Sequence, residues 1–116
     1  MKRIVAVVAL SVLALIAVAT TVSAADNESK ARVLTGQVTD RNDAPVPDAI
    51  VYLKNTKTLG VKTYITDSAG GYRFPELSPN IDYEVYAEHK GAKSDTKTLS
   101  SFDSRQKPVM NLKIGK

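Results

Sequence analysis

From Val33 to Ile114 the apolar residues recur at every second position in short runs, and each run is closed by Asp, Asn, Gly or Pro. A period of two places alternate side chains on opposite faces of a strand. Several such runs at even spacing, with turn residues between them, describe an all-β sandwich. VLTGQVT (33–39) sets Leu34, Gly36 and Val38 against Thr35 and Gln37. AIVYLKN (49–55) sets Ala49, Val51 and Leu53 against Ile50, Tyr52 and Lys54. DYEVYAEH (82–89) sets Tyr83, Val85 and Ala87 against Glu84, Tyr86 and Glu88, and VMNLKI (109–114) sets Met110, Leu112 and Ile114 against Asn111 and Lys113. VKTYIT (61–66) is a strand of ambiguous face, and a sixth lies within AKSDTKTLS (92–100).

The stretch TDSAGGYRFPEL, Thr66 to Leu77, is the most informative. Asp67 can accept backbone amides two residues on, and glycine tolerates positive φ, so 67–71 is a turn. Tyr72 and Phe74 then share one face of a short strand that Pro75 ends, and Leu77 plugs the bottom of the core. Asn80 turns the next corner in a left-handed conformation. Gly36 lets an aromatic ring lie against the backbone of the first strand, with Tyr72 or Phe74 supplying the ring. Seven strands result.

The first residues read differently. Met1-Lys2-Arg3 is a short basic start, Ile4 to Ala19 is apolar, and Val22-Ser23-Ala24 has the small residues of a cleavage site. Residues 1–24 read as a signal peptide, with cleavage after Ala24 or one residue later; 25–32 read as a flexible segment, and 33–116 as the domain. The alternative is an uncleaved membrane anchor, since Ile4 to Ala25 is long enough to span a bilayer. With cleavage the protein is secreted or periplasmic and has no stable membrane insertion. The chain has no cysteine, which excludes a lipoprotein anchor and disulfide staples, so core packing alone must hold the domain. Its +4 charge falls to +2 once Lys2 and Arg3 leave. No basic block remains, and nucleic acid is set aside as a partner.

Three blocks carry a family resemblance: Gly36-Val38-Asp40, then Pro47-Ala49-Val51-Leu53, then Thr66-Asp67-Gly70-Tyr72-Phe74. In this order they resemble the carboxypeptidase regulatory-like domains, which are transthyretin-like (prealbumin-type) sandwiches. The resemblance covers nearly all of the chain after residue 32. It implies a seven-stranded antiparallel Greek-key β-sandwich and an accessory binding or structural role. Asp43, Asp48 and Asn80 stand where the family usually has turn glycines, and all three tolerate turn geometry.

Catalytic chemistry is poorly provided for. His89 is the one histidine, at a strand end, and no nucleophile elbow accompanies it. Intradiol dioxygenases share a related sandwich but need two histidines on iron, and the transthyretin-like hydroxyisourate hydrolases need several. Neither an enzyme nor a cofactor is expected. A Lys–Asn isopeptide bond at Asn111, as in some adhesin repeats, is disfavoured because the first strand lacks a lysine.

Two constellations could bind. Loops 40–48, 67–71 and 88–93 should share one end of the sandwich, gathering Asp40, Asp43, Asp48, Asp67 and Glu88. Asp40, Asp43 and Asp67 are weak calcium candidates, although aspartates that make turns explain them more simply. Tyr52 and Tyr86 point away from the core, and Tyr64 is a candidate to join them. Three tyrosines on one sheet could stack sugar rings or anchor a protein. The expected function is a non-catalytic module engaging a protein partner through a sheet edge or this tyrosine face. A carbohydrate-binding module is the alternative, and a calcium-dependent adhesion module a remote one.

Overall fold

The computed structural model describes residues 31–115. The expected signal peptide, residues 1–24, lies outside them. Among the described residues there are eight strands: β1 (Arg32–Thr39), β2 (Ile50–Asn55), β3 (Val61–Ile65), β4 (Gly71–Leu77), β5 (Tyr83–His89), β6 (Ala92–Lys93), β7 (Lys97–Leu99) and β8 (Leu112–Lys113). They form two sheets, β4-β1-β8 and β3-β2-β5-β6, with β7 also on β5. There is no helix among the described residues, so none is long and apolar enough to cross a membrane.

The all-β sandwich holds, with three corrections to its finer details. The expected sixth strand is two short ones, because Ser94 breaks the run: its Oγ accepts from Ala87 N–H at 2.9 Å, and its own N–H reaches Ala87 O. The last strand is not antiparallel. β8 runs parallel to β1, pairing Val38 with Leu112. Finally, Arg32 is the first residue of β1 and is 2% exposed, so it belongs to the domain and not to a flexible 25–32 segment.

The inward faces of both sheets meet in one core. Leu34, Val38, Tyr72, Phe74, Leu77 and Leu112 come from one side, and Val51, Leu53, Tyr83, Val85, Ala87 and Leu99 from the other. Gly36 sits at its tightest point. A Cβ there would overlap the Met110 carbonyl oxygen at 1.8 Å and lie 2.7 Å from the Tyr72 ring. Tyr72 is therefore the ring that Gly36 admits, and its hydroxyl donates to that same Met110 carbonyl at 2.6 Å.

The Thr66–Gly71 corner ties the sheets together. Thr66 is buried; its Oγ1 accepts from Ala49 N–H at 2.9 Å and donates to Val46 O at 2.7 Å. Asp67 Oδ1 accepts from Ala69 and Gly71 N–H. Gly70 takes φ 76° with the Val38 oxygen 2.6 Å from where a Cβ would be, so a side chain is excluded on both counts. Two other expectations fail nearby. β4 runs through Pro75 to Leu77, which is possible because β4 is an edge strand and needs no N–H there. The left-handed residue before β5 is Glu76 (φ 62°), not Asn80, whereas Asp43 and Asp48 do adopt positive φ.

Arg32 was not anticipated at all. Its guanidinium donates to the carbonyls of Ser100 (2.7 Å), Asp103 (3.3 Å), Ser78 (2.8 Å) and Ile81 (2.9 Å), clamping two loops; its Nε has no partner. Replacing it by Met keeps the stem but strands those carbonyls. Arg32→Met is expected to cost about 3 kcal/mol or more, since each buried unsatisfied group costs ~1–3 kcal/mol, measured by urea denaturation.

Burial raises the Tyr72 hydroxyl well above the ordinary tyrosine range. The native state therefore keeps a proton that the unfolded chain releases near pH 10. Its contribution is complete below that pH and is lost as pH rises further, at about 1.4 kcal/mol per pH unit. Tyr72→Phe should lower stability at pH 7 yet flatten the alkaline decline by one proton, as read from urea midpoints between pH 8 and 11.

Candidate functional site

The outward face of the larger sheet follows from its register. Tyr52 opposes Tyr86 on β5 and Thr63 on β3. Ile50 opposes Ile65 and Glu88, and Lys54 opposes Val61 and Glu84. The outer surface thus has three rows: Ile65-Ile50-Glu88, Thr63-Tyr52-Tyr86 and Val61-Lys54-Glu84. At its centre the Tyr52 and Tyr86 rings stack, with centroids 4.8 Å apart and planes 18° apart. The Tyr52 hydroxyl donates to Glu88 Oε1 at 3.3 Å, and Lys93 Nζ lies 5.5 Å from the Tyr86 centroid. Partial burial first, and then the Glu88 carboxylate, raise the Tyr52 hydroxyl above its ordinary value.

Tyr52 and Tyr86 are thus brought together as expected, but Tyr64 is not with them. It pairs with Val51, a core-facing residue, and its ring meets Phe74 edge-on at 6.0 Å. Tyr64 covers the rim of the core, so the three-tyrosine platform is a pair. Each ring of the pair also turns one face to its mate, and Lys93 sits over the Tyr86 ring, which narrows the space for a stacked sugar.

The acidic loops do neighbour one another. Asp48 N–H donates to Thr66 O, and Pro47 and Asp48 line a shallow depression with Glu88, His89 and Lys90. The carboxylates do not converge, however, and no three His, Cys, Asp or Glu among the described residues could hold a metal ion. Asp40 Oδ1 accepts from Asn42 and Ala44 N–H, Asp67 is spent on its own turn, and Asp43 pairs with Lys113 at 2.8 Å. Asn111 Oδ1 accepts from Gln37 N–H at 3.0 Å, while Lys97 Nζ donates to the Asn111 backbone oxygen at 2.7 Å. These residues line a polar cleft of about 560 Å³ beside β1.

The feature that alternation could not reveal is the free edge of β3. Asn55 N–H bonds Gly60 O, and Thr66 N–H bonds Ala49 O. Antiparallel ladders alternate, so Leu53–Lys62 and Val51–Tyr64 are the hydrogen-bonded pairs between them. The backbone groups of Val61, Thr63 and Ile65 consequently point away from β2, and β3 ends its sheet. All five residues of β3 are exposed, Val61 to 57% and Ile65 to 63%.

The family model for the carboxypeptidase regulatory-like domain matches residues 33–114. The chain belongs to that family. No curated protein sequence matches it. Solved structures share the fold of this carboxypeptidase regulatory-like domain at low identity. Catechol 1,2-dioxygenase from Acinetobacter sp. ADP1 aligns at TM-score 0.56 and 14% identity, over 73% of this chain and 52% of the enzyme. The major pilin subunit BcpA of Bacillus cereus, as a D312A variant, aligns at 0.58 and 14%, over 75% of this chain and 30% of the pilin. A Pseudomonas aeruginosa protein provisionally named as carbohydrate-binding aligns at 0.52 and 15%, over 74% and 90%. The domain thus spans about half of the dioxygenase and under a third of the pilin, and at these identities the likeness is one of fold. The family domain itself is of a regulatory, non-catalytic type.

A double-mutant cycle checks the stacked pair. Tyr52→Ala and Tyr86→Ala should each leave the domain folded, with a coupling energy of about 0.5–1.5 kcal/mol between them. Tyr64→Ala should show no coupling to either, because it lies on the other face.

Proposed function

We propose that this domain is a non-catalytic module of an exported protein, secreted or periplasmic, that engages a protein partner by strand addition at β3. One observation carries the reading: β3 is the only long sheet edge without protection among the described residues. β4 has Pro75 and the positive φ of Glu76, β6 and β8 are two residues long, and β7 is three. Proteins blunt their edges by such devices because open ones recruit strands. On β3 the one charge is Lys62, whose partner in register is the core residue Leu53, so the outer face of β3 carries Val61, Thr63 and Ile65 and no charge. An incoming strand would gain backbone bonds from Val61, Thr63 and Ile65 and side-chain contact with the outward side chains of the same three residues.

The fold it shares with an assembling pilin and a protein provisionally named for carbohydrate binding is consistent with work outside the cytoplasm. Carbohydrate binding is the second reading, supported by that neighbour's name and by the half-buried Tyr52–Tyr86 pair. It has less room, for the ring geometry given above.

Amide shift mapping separates the two. A seven-residue peptide alternating Val and Thr should perturb Val61, Thr63 and Ile65 and lose its effect in a Val61→Lys, Ile65→Lys variant. Xylan or dextran perturbing Tyr52 and Tyr86, with β3 silent towards the peptide, would instead make the tyrosine pair the binding site.

A further inference from the structure

We infer that the strand added at β3 is β3 of a second copy of this chain, antiparallel about a two-fold axis through Thr63. The inference rests on the open-edge reading above and adds the identity of the occupant.

Only Val61, Thr63 and Ile65 turn their backbone groups outward, so only they can form hydrogen-bonded pairs with a neighbour. An antiparallel copy centred on Thr63 places Thr63 opposite Thr63 and Val61 opposite Ile65 of the partner subunit. Every outward N–H and C=O of β3 is then satisfied. A shift by two residues leaves one end of the strand unpaired, and a shift by one opposes groups that point inward.

Side chains agree with this register. Val61 against Ile65 is a β-branched pair, and Thr63 meets its own symmetry mate, both favourable cross-strand combinations. Exposed Ile50 and Ile65 already neighbour each other, and the mate's Val61 extends that row across the seam. Lys62, the only charge on the strand, falls opposite Tyr64 of the mate, so no like charges oppose directly. The contact is isologous and closes at two copies, whereas a head-to-tail arrangement would propagate into fibres.

The full expressed chain provides the test, by hydrogen exchange at the amides of residues 61, 63 and 65. Protection should rise several-fold, towards a ceiling of about 10-fold, between ~1 and ~100 µM protein, because the monomer fraction of a homodimer falls at most as the square root of concentration, alongside a monomer-to-dimer shift in sedimentation. Because the chain lacks cysteine, Thr63→Cys should yield a disulfide-linked dimer on mild oxidation, and Thr98→Cys, on the far side of the sheet, should not. Val61→Lys with Ile65→Lys should give monomers, while Val61→Glu with Ile65→Lys should restore the dimer, since each Glu then faces a Lys of the mate. Fast exchange at all concentrations would overturn the second-copy assignment and leave the edge open to a foreign strand. Slow exchange independent of concentration would overturn both, by showing the edge covered within one chain.

Discussion

The contact between Gly36, Tyr72 and Met110 fastens β1 to β4 on one side and to the segment leading into β8 on the other. β1 is the central strand of its sheet, with β4 on one side and β8 on the other. At Gly36 the segment leading into β8 comes so close that the Met110 carbonyl occupies the space of a side chain. A carbonyl turned inward there is a buried acceptor and must be satisfied. The Tyr72 hydroxyl does so from the facing strand, its ring lying where a Cβ would have been. One missing side chain thus permits a parallel strand, a buried aromatic and a satisfied carbonyl together. Any residue larger than glycine would have to displace backbone, which the packed core resists.

Much of this was legible in the chain because it depends on alternation. The inward residues of β1, β2 and β5 follow from period two alone, and Thr66-Asp67 with Gly70 follows from turn chemistry. Gly36 was legible as a point of close approach, and the structure selects Tyr72 over Phe74 as the ring beside it. What alternation cannot give is which neighbour a strand takes. The parallel pairing of β8 depends on the crossover from β7, in the other sheet, to the edge of β1 away from β4, and no local property of NLKI announces it. Arg32 was hidden for a related reason: its four acceptors are carbonyls of residues 78–103, distant in sequence and carrying no side-chain signature.

The errors over Tyr64, Pro75 and Asn80 have separate physical causes. Tyr64 sits in a strand whose two faces are both exposed, so hydrophobicity gives no phase; only pairing with Val51 settles it. Pro75 breaks a strand that must donate on both sides, but β4 is an edge, and proline is tolerated where the N–H would face outward. Asn80 does sit in the turn before β5 but without positive φ; the left-handed residue is Glu76, inside β4, where the register with β1 shifts and Leu77 is brought into the core. Tertiary demand outweighed local preference in each case.

The same balance explains why the candidate surface lies where it does. A small sandwich without disulfides must spend its apolar residues on the core, and here the buried cluster takes nearly every Leu, Val and Phe of the strands. Apolar side chains left outside are then informative by their grouping rather than their number. Ile50 and Ile65 oppose each other across the β2–β3 pairing, and Val61 lies on the same outer face at the other end of β3, beside backbone groups that point away from β2 along the outer edge. Two requirements, apolar contact and hydrogen-bond completion, thus converge on one strand. Neither the acidic corner nor the cleft beside β1 shows such convergence: Asp40 and Asp67 are engaged in their own turns, and Asp43 pairs with Lys113. A surface that still lacks both kinds of partner is the one whose free energy falls most when another strand arrives.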